Sequence, residues 1–226
     1  MSLLGRAFLG IWHNVEPQWR DEYDTYHTIE HMPERLGIPG FLRGRRYIDY
    51  SLTSRVCFTL YEGSHSETFR SPGYLARLNA PTEWSQRVQP HMPDFVRGAF
   101  VPLVSLGEGV GGAMATYRII HEGGDRQALA HALTVRAHEI RALSGVCGVH
   151  VGSALTDVAS APTEESKVRG ESDQRTDDFV LLVEGVSTAN LKVNADSVRT
   201  LIDSAGGVCV GSDAYPLAYS LTSDGQ

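Results

Sequence analysis

The sequence predicts an α+β fold: two ferredoxin-like βαββαβ repeats whose antiparallel sheets pack face to face as an intrachain α/β barrel. Three observations predict it. Apolar periodicity gives the same order of elements twice along the chain. A glycine-rich stretch at 107–112, Gly-Glu-Gly-Val-Gly-Gly, separates the two series. Strand segments such as Arg55–Tyr61 and Phe179–Val183 are apolar at successive positions, so both of their faces need cover. Helices supply one cover and a second sheet supplies the other.

The first repeat (1–106) opens with a strand at Ala7–His13 and a helix from Pro17 to about Met32. Strands follow at Gly40–Tyr50 and Arg55–Glu62. Helix resumes over Ser66–Gln89, is interrupted at Pro81, and restarts with Thr82 as cap. Gly98–Leu106 is the fourth strand. The second repeat (113–226) reads as strand Ala113–Glu122, helix Asp125–Leu143 capped by Asp125, and strands Gly148–Leu155 and Asp178–Val186. Helix Ala189–Ala205 stops at Gly206, and Val208–Leu221 closes the series. Residues 156–178, rich in Ser, Thr and charge, read as a long mobile loop. Scattered matches support duplication. Glu62-Gly63 recurs as Glu184-Gly185, and His31 and Leu36 recur as His138 and Leu143 at a constant offset of 107.

With 42% hydrophobic and 21% charged residues, the chain belongs to the ordinary globular class. Net charge is −7, which leaves no basic excess to neutralise phosphates, so nucleic acid is not expected as a partner. No apolar run reaches the ~20 residues that span a bilayer, and no signal peptide is read at the start. Cys57, Cys147 and Cys209 are too few and too scattered for a disulfide framework, which fits a cytoplasmic setting. The glycines at 107–112 carry no phosphate-loop lysine, so nucleotide binding is not expected.

Residues 16–47 carry a resemblance. Glu30-His31-Met32-Pro33-Glu34-Arg35, then Pro39-Gly40-Phe41, then Arg46-Tyr47 resemble the dimeric α/β-barrel superfamily, nearest its EthD-like branch. Tyr26 stands where such sequences often carry Trp. The resemblance implies ferredoxin-like units pairing into a barrel. Relatives include cofactor-free monooxygenases, polyketide cyclases, a lactone isomerase and haem enzymes. It therefore implies a small-molecule enzyme, a cofactor-independent isomerase, cyclase or monooxygenase acting on an apolar cyclic or aromatic carbonyl or carboxylate compound. The alternative is a non-catalytic ligand-binding or assembly protein. A small-molecule ligand is the expected partner, and the outer edges of the fused pair leave room for a homodimer. In the second repeat Ala137-His138 replaces Glu30-His31 and the Pro-Glu-Arg is missing, so any site there is degenerate.

The candidate proton-transfer residues are His31 and Glu30. At about 100° per residue, Trp19, Tyr26, Ile29 and Pro33 share an apolar arc, Glu30 lies at its edge, and His27 and His31 fall toward the polar side. Pro33 breaks the hydrogen bond to Ile29, so His31 sits at a kink where it can turn inward. A carboxyl near aromatic rings is suited to acid–base work. Trp12 and Tyr26 are candidate pocket walls, with His13 expected to be exposed. In the second strand, Phe41, Arg43, Arg45 and Tyr47 alternate onto one face, where the two arginines either clamp a substrate anion or pair with Asp49 or Glu62. His27-Thr-Ile-Glu-His31 matches a zinc-protease spacing, but no third ligand is identifiable. Haem would need a helical His in the second repeat, for which only His131 and His138 offer themselves.

Overall fold

The computed structural model describes residues 2–155, 163–170 and 177–223. In chain order its strands are β1 (Ala7–His13), β2 (Phe41–Ile48), β3 (Cys57–Gly63), β4 (Val96–Leu106), β5 (Ala113–Ile120), β6 (Val146–Ala154), β7 (Phe179–Gly185) and β8 (Val208–Thr222). They form one closed antiparallel barrel in the order β1-β3-β2-β8-β5-β7-β6-β4. The helices are α1 (Arg20–Tyr26), α2 (Met32–Leu36), α3 (Pro72–Leu78), α4 (Glu83–Val88), α5 (Arg126–Arg141), α6 (Glu164–Arg169) and α7 (Thr188–Ser204). The expected βαββαβ order is present twice.

The helix starts follow local chemistry. The Thr82 hydroxyl accepts from the Ser85 amide at 3.0 Å, and the Asp125 carboxylate accepts from the Gln127 amide at 2.8 Å. Helix α7 ends before Gly206, whose φ of +88° suits a residue without Cβ. The expected first helix is not one helix. Pro17–Trp19 is a 3₁₀ turn, α1 follows, His27–His31 is a single π turn, and α2 completes the run.

The chain divides into two compact units. One holds Leu4–Ala99, Leu155–Arg175 and Ala218–Gln226; the other holds Met1–Leu3, Phe100–Ala154 and Thr176–Leu217. They are called the first-repeat and second-repeat units below. In the second-repeat unit, the helix-facing side chains of β5, β6 and β7 meet α5 and α7 in one apolar cluster, which includes Ile119, Leu133, Ile140, Val149, Leu181 and Ile202. On the helix-facing side of the first-repeat unit two apolar clusters are described. Leu9, Met32, Phe41, Tyr61 and Phe69 form one; Val15, Tyr23, Tyr26, Cys57, Val88 and Phe95 form the other.

Part of the loop expected over 156–178 is ordered structure. Residues 156–162 and 171–176 lie outside the described residues. Between them, α6 starts at a capping box on Thr163 and packs within the first-repeat unit. A local cap and a buried ion pair from Glu165 to Arg35 hold a segment whose composition alone suggested mobility.

The strand faces explain the buried charges. Phe8 and Trp12 of β1, Arg43, Arg45 and Tyr47 of β2, and Phe58, Leu60 and Glu62 of β3 alternate onto the face turned away from the helices. Phe41 does not join them: a bulge between Phe41 and Arg43 returns its ring to the helix side. Glu62 accepts from Arg43 Nε at 2.9 Å, Arg43 Nη2 at 2.8 Å and Arg45 Nε at 2.9 Å. It also accepts from the Leu4 amide. Glu184 repeats the arrangement in its own unit, accepting from the Gly111 amide at 2.7 Å and from Ser2 Oγ at 2.6 Å. The duplicated Glu-Gly dipeptide is thus a fastening: each glutamate ties the segment before its repeat's first strand to the third strand.

Replacing Glu62→Gln removes the charge that two fully or nearly buried arginines share. It should lower unfolding stability by about 3–5 kcal/mol, read as a lower urea midpoint at unchanged slope.

Candidate functional site

The π turn decides what the first-repeat unit presents beneath its helices. One extra residue per turn moves every following side chain out of the simple helical phase. His27, expected toward the polar face, is 3% exposed, and Ile29, expected in the apolar arc, is 65% exposed. Pro33 in the first turn of α2 removes a donor just beyond, and the Met32 amide reaches back to the His27 carbonyl. The turn therefore places His27 and His31 side by side, their ring centroids 5.1 Å apart.

A chain of polar rings extends from this pair. Tyr23 lies 5.4 Å from His27, and His13 lies 5.2 Å from Tyr23. His13 is buried, not exposed, because the helices cover this face of β1. Its Nδ1 donates to the Asn14 carbonyl at 2.8 Å, so its Nε2 accepts from the Tyr23 hydroxyl at 3.1 Å. On the other side, Tyr26 Oη lies 2.9 Å from His31 Nδ1 and 2.8 Å from Ser85 Oγ. Thr82 donates to Glu30 Oε1 at 2.5 Å. Among the described residues His31 Nε2 has no hydrogen-bond partner.

Three arginines surround the histidines. Arg46 crosses from β2, bonding the Asp24 carbonyl at 3.2 Å and Thr28 Oγ1 at 2.9 Å. Arg35 pairs with Glu34 at 2.7 Å and with Glu165 of α6. Arg169, also of α6, lies 3.7 Å from the Phe95 ring centroid and donates to Gln89 at 2.9 Å. Burial and these cations keep the imidazoles neutral. His27 is held well below its usual value by burial, then by His31 and Arg46. His31 is held well below by burial, then by Arg35 and Arg169. Burial pushes the Tyr26 phenol up, so it stays protonated.

Several atoms here have hydrogen-bonding capacity that the protein does not meet. His27 Nδ1, Thr59 Oγ1, Tyr61 Oη, Arg46 Nε and Arg169 Nε are buried without a partner among the described residues. Thr59 and Tyr61 lie on the helix-facing side of β3, and Thr59 sits beside Arg46 in the strand register. Unmet polar atoms are uncommon in protein interiors, and these leave hydrogen-bonding capacity for water or a ligand to meet.

The predicted site residues separate into two groups. Tyr26, Glu30 and His31 lie together beneath the helices. Trp12, Arg43, Arg45 and Tyr47 lie on the opposite face of the sheet, where Trp12 stacks on Phe58 at 5.0 Å and Arg45 donates to the Tyr47 hydroxyl at 3.2 Å. The arginines meet Glu62 there, as one of the two sequence readings expected. Sequence reasoning missed His13, Tyr23, His27, Ser85 and Arg169. The both-faces-covered character of the strands was a signal for His13; nothing local signalled Arg169. Among the described residues no group of three His, Cys, Asp or Glu side chains could hold a metal ion.

No family model matches the chain, and no curated protein matches it. Solved structures do match. An anthrone oxidase-like protein aligns at 11% identity over 96% of this chain and 93% of its own, with a TM-score of 0.64. A mutant chlorite dismutase from Candidatus Nitrospira defluvii in complex with cyanide aligns at 9% identity over 94% and 91%, TM-score 0.57. A heme-binding protein from Thermus thermophilus aligns at 9% identity over 95% and 92%, TM-score 0.54. With the eight-stranded barrel of two ferredoxin-like repeats, these matches show the fold alone, and it is the barrel that the sequence resemblance implied. No helix among the described residues is long and apolar enough to cross a membrane.

The histidines give a pH signature. Burial lowers His13 from 6.5 to about 4, with Arg169 and Arg46 adding to it against the Asn14 carbonyl. Between those values the unfolded chain binds the extra proton, so stability is complete above pH 6.5 and is lost as pH falls toward 4. His13 alone should remove about 2 kcal/mol between pH 7.5 and pH 5. Urea midpoints should fall over that range, and His13→Phe should flatten the slope by its own share, leaving that of His27 and His31.

Proposed function

We propose that this protein is a small-molecule enzyme of the EthD-like kind. It abstracts a proton beside a carbonyl, or from a phenol, of an apolar cyclic or aromatic compound, in an isomerisation, cyclisation or oxygenation. Neutral His31 is the base, and Arg35, Arg46 and Arg169 stabilise the resulting oxyanion. The single observation that carries this reading is the pair His27 and His31. They are two adjacent imidazoles kept neutral within a ring of arginines, one with a free Nε2 and the other with an unpartnered buried Nδ1.

A neutral imidazole near cations is a suitable base for a carbon acid. Its lone pair is available at neutral pH, and the enolate or phenolate it leaves is stabilised by the charges that kept the ring neutral. Arg43 and Arg45 are not part of this proposal, since Glu62 already satisfies them on the other face. The name of the anthrone oxidase-like neighbour supports the oxygenation among these reactions.

Haem, which the heme-binding neighbour raises, does not fit the second repeat. His131 and His138 are exposed on α5. His150 is engaged at both nitrogens, Nδ1 by Ser105 at 2.9 Å and Nε2 by Glu184 at 3.1 Å, which leaves no lone pair directed at iron.

Anthrones and other cyclic carbon acids in deuterated buffer provide the test, followed by proton NMR for exchange at the acidic carbon and by oxygen uptake. The wild type should exchange or turn over at least one of them. His31→Ala should lose about 10²–10⁴-fold in rate while still unfolding cooperatively in urea. A His31→Ala protein that works at the wild-type rate overturns the assignment. Tight binding with neither exchange nor turnover makes the protein a ligand carrier instead.

A further inference from the structure

The second-repeat unit carries a polar series on the face of its sheet turned away from α5 and α7. Val104 and Leu106 of β4, Val149 and Val151 of β6, and Val183 of β7 pack into the helix-facing core. Strand alternation therefore sends Ser105, His150 and Glu184 to the opposite face. Strand β6 lies between β4 and β7, so His150 has the serine on one side and the glutamate on the other. Ser105 is its direct cross-strand partner. Ser105 Oγ lies 2.9 Å from His150 Nδ1, and His150 Nε2 lies 3.1 Å from Glu184 Oε1. The imidazole and the carboxylate are wholly buried, while Ser105 is exposed. Glu184 is itself fixed by the Gly111 amide and by Ser2 Oγ. The first repeat shows what fastening alone requires. The β6–β7 register sets His150 opposite Leu182, two residues before Glu184, and the β2–β3 register sets Arg45 opposite Leu60, two residues before Glu62. Arg45 holds its glutamate through Nε and, as a guanidinium, has no lone pair to offer. A histidine at the same place makes the same carboxylate contact with one nitrogen and keeps the other for an exposed hydroxyl.

We propose that Ser105, His150 and Glu184 form a nucleophile, its base and the group that orients the base, a second site that hydrolyses small carboxylic esters. A nucleophile within hydrogen-bond reach of a base that a third group holds is the arrangement such chemistry needs. With Glu184 ionised, the carboxylate only accepts, so a neutral His150 carries its proton on Nε2 and turns the Nδ1 lone pair to Ser105. Nδ1 takes the Ser105 proton as Oγ bonds to the ester carbonyl carbon, and the carbonyl π pair moves onto its oxygen. As the carbonyl re-forms, the bond to the alcohol oxygen breaks and that oxygen takes the proton from Nδ1. Water then repeats the two steps on the acyl-serine: its proton goes to Nδ1, the bond from Oγ to the acyl carbon breaks, Oγ recovers the proton, and the acid leaves. Atoms and protons balance with water as the one co-reactant. Nδ1 returns one proton to one leaving oxygen, which is what an ester requires. Ser105 and His150 are the catalytic residues. Glu184 is a positioning residue: it acts through His150 by holding the Nε2 proton and pairing with the imidazolium while it lasts. The bulge between Pro102 and Val104 leaves Leu103 exposed two residues before Ser105, where it offers an apolar contact to a short acyl chain.

Diisopropyl fluorophosphate and p-nitrophenyl acetate test the site on the full chain at pH 8. The fluorophosphate should label Ser105 about 10²–10⁴-fold faster than the exposed Ser204, whose hydroxyl donates to the Leu201 carbonyl, as read by peptide mass spectrometry. Release of p-nitrophenolate from the ester should fall about tenfold or more in Ser105→Ala, an exposed position. Long-range proton–nitrogen correlation NMR on the wild-type, 15N-histidine-labelled protein at the same pH should show His150 neutral with its proton on Nε2. That measurement needs no variant, so it decides where His150→Gln fails to unfold cooperatively in urea. A folded His150→Gln should label at Ser105 no faster than at Ser204. Glu184→Gln sets an amide before Nε2 and should move His150 to the Nδ1–H form. Equal labelling of Ser105 and Ser204 in the wild type overturns the proposal, as does a wild-type His150 that carries a proton on Nδ1. Ser105 labelling that a folded His150→Gln leaves unchanged removes His150 as the base, and an Nε2–H tautomer retained in Glu184→Gln overturns the orienting role of Glu184.

Discussion

One surplus residue in one helical turn organises the candidate site. In a regular α-helix, residues four apart lie on one face, and the apolar arc of this segment would have buried Ile29 and left His27 outward. The π turn at His27–His31 reverses both outcomes. A π turn opens the hydrogen-bonded ladder and is poorly supported by local energetics, so it persists where surrounding contacts hold it. Here Pro33 denies the ladder a donor, Met32 is locked in the apolar core, and Tyr26 is tied to Ser85 of α4. The turn is the means by which a surface helix carries two imidazoles inward without adding a second element.

Charge is divided between the two faces of the same sheet. Arg43 and Arg45 point away from the helices and share Glu62, a closed arrangement in which the carboxylate also secures the Leu4 amide. Arg46, next to Arg45 in sequence, points the other way and has no comparably close carboxylate: Asp24 Oδ1 stands 3.9 Å off and is partly exposed. A buried cation with its nearest anion at that distance raises the local potential, and neighbouring histidines respond by releasing their protons. Alternation along a single strand thus separates a structural use of arginine from an electrostatic one.

How much of this was legible in the sequence follows from which forces are local. The order of elements, the caps at Thr82 and Asp125, and the stop at Gly206 are set by neighbouring residues and were readable. So was the face shared by Arg43, Arg45 and Tyr47, because strand alternation has a fixed period. The errors came wherever a single residue changed phase. A bulge removed Phe41 from its expected face, and the π turn exchanged His27 with Ile29. The cover formed by α6 could not be read, since a short polar segment gives no sign of the distant surface that will order it. Its contacts join Glu165 and Arg169 to residues more than seventy positions away.

The two repeats differ along a physical line. The helix-facing core of the second-repeat unit is apolar, a close-packed set of aliphatic side chains with Phe179 and Tyr117, and its counterpart of His31, His138, lies exposed on α5. The corresponding space of the first-repeat unit holds three histidines and a cluster of unmet polar atoms, which cost stability unless something else compensates. Part of that compensation is supplied by the sequence of the other repeat. Helix α6, inserted between β6 and β7, belongs to the first-repeat unit and brings to the histidines one arginine and the carboxylate that neutralises Arg35. Two unlike repeats in one chain therefore allow a division that identical copies could not make, one holding the destabilising polar groups and the other lending a segment that shields them.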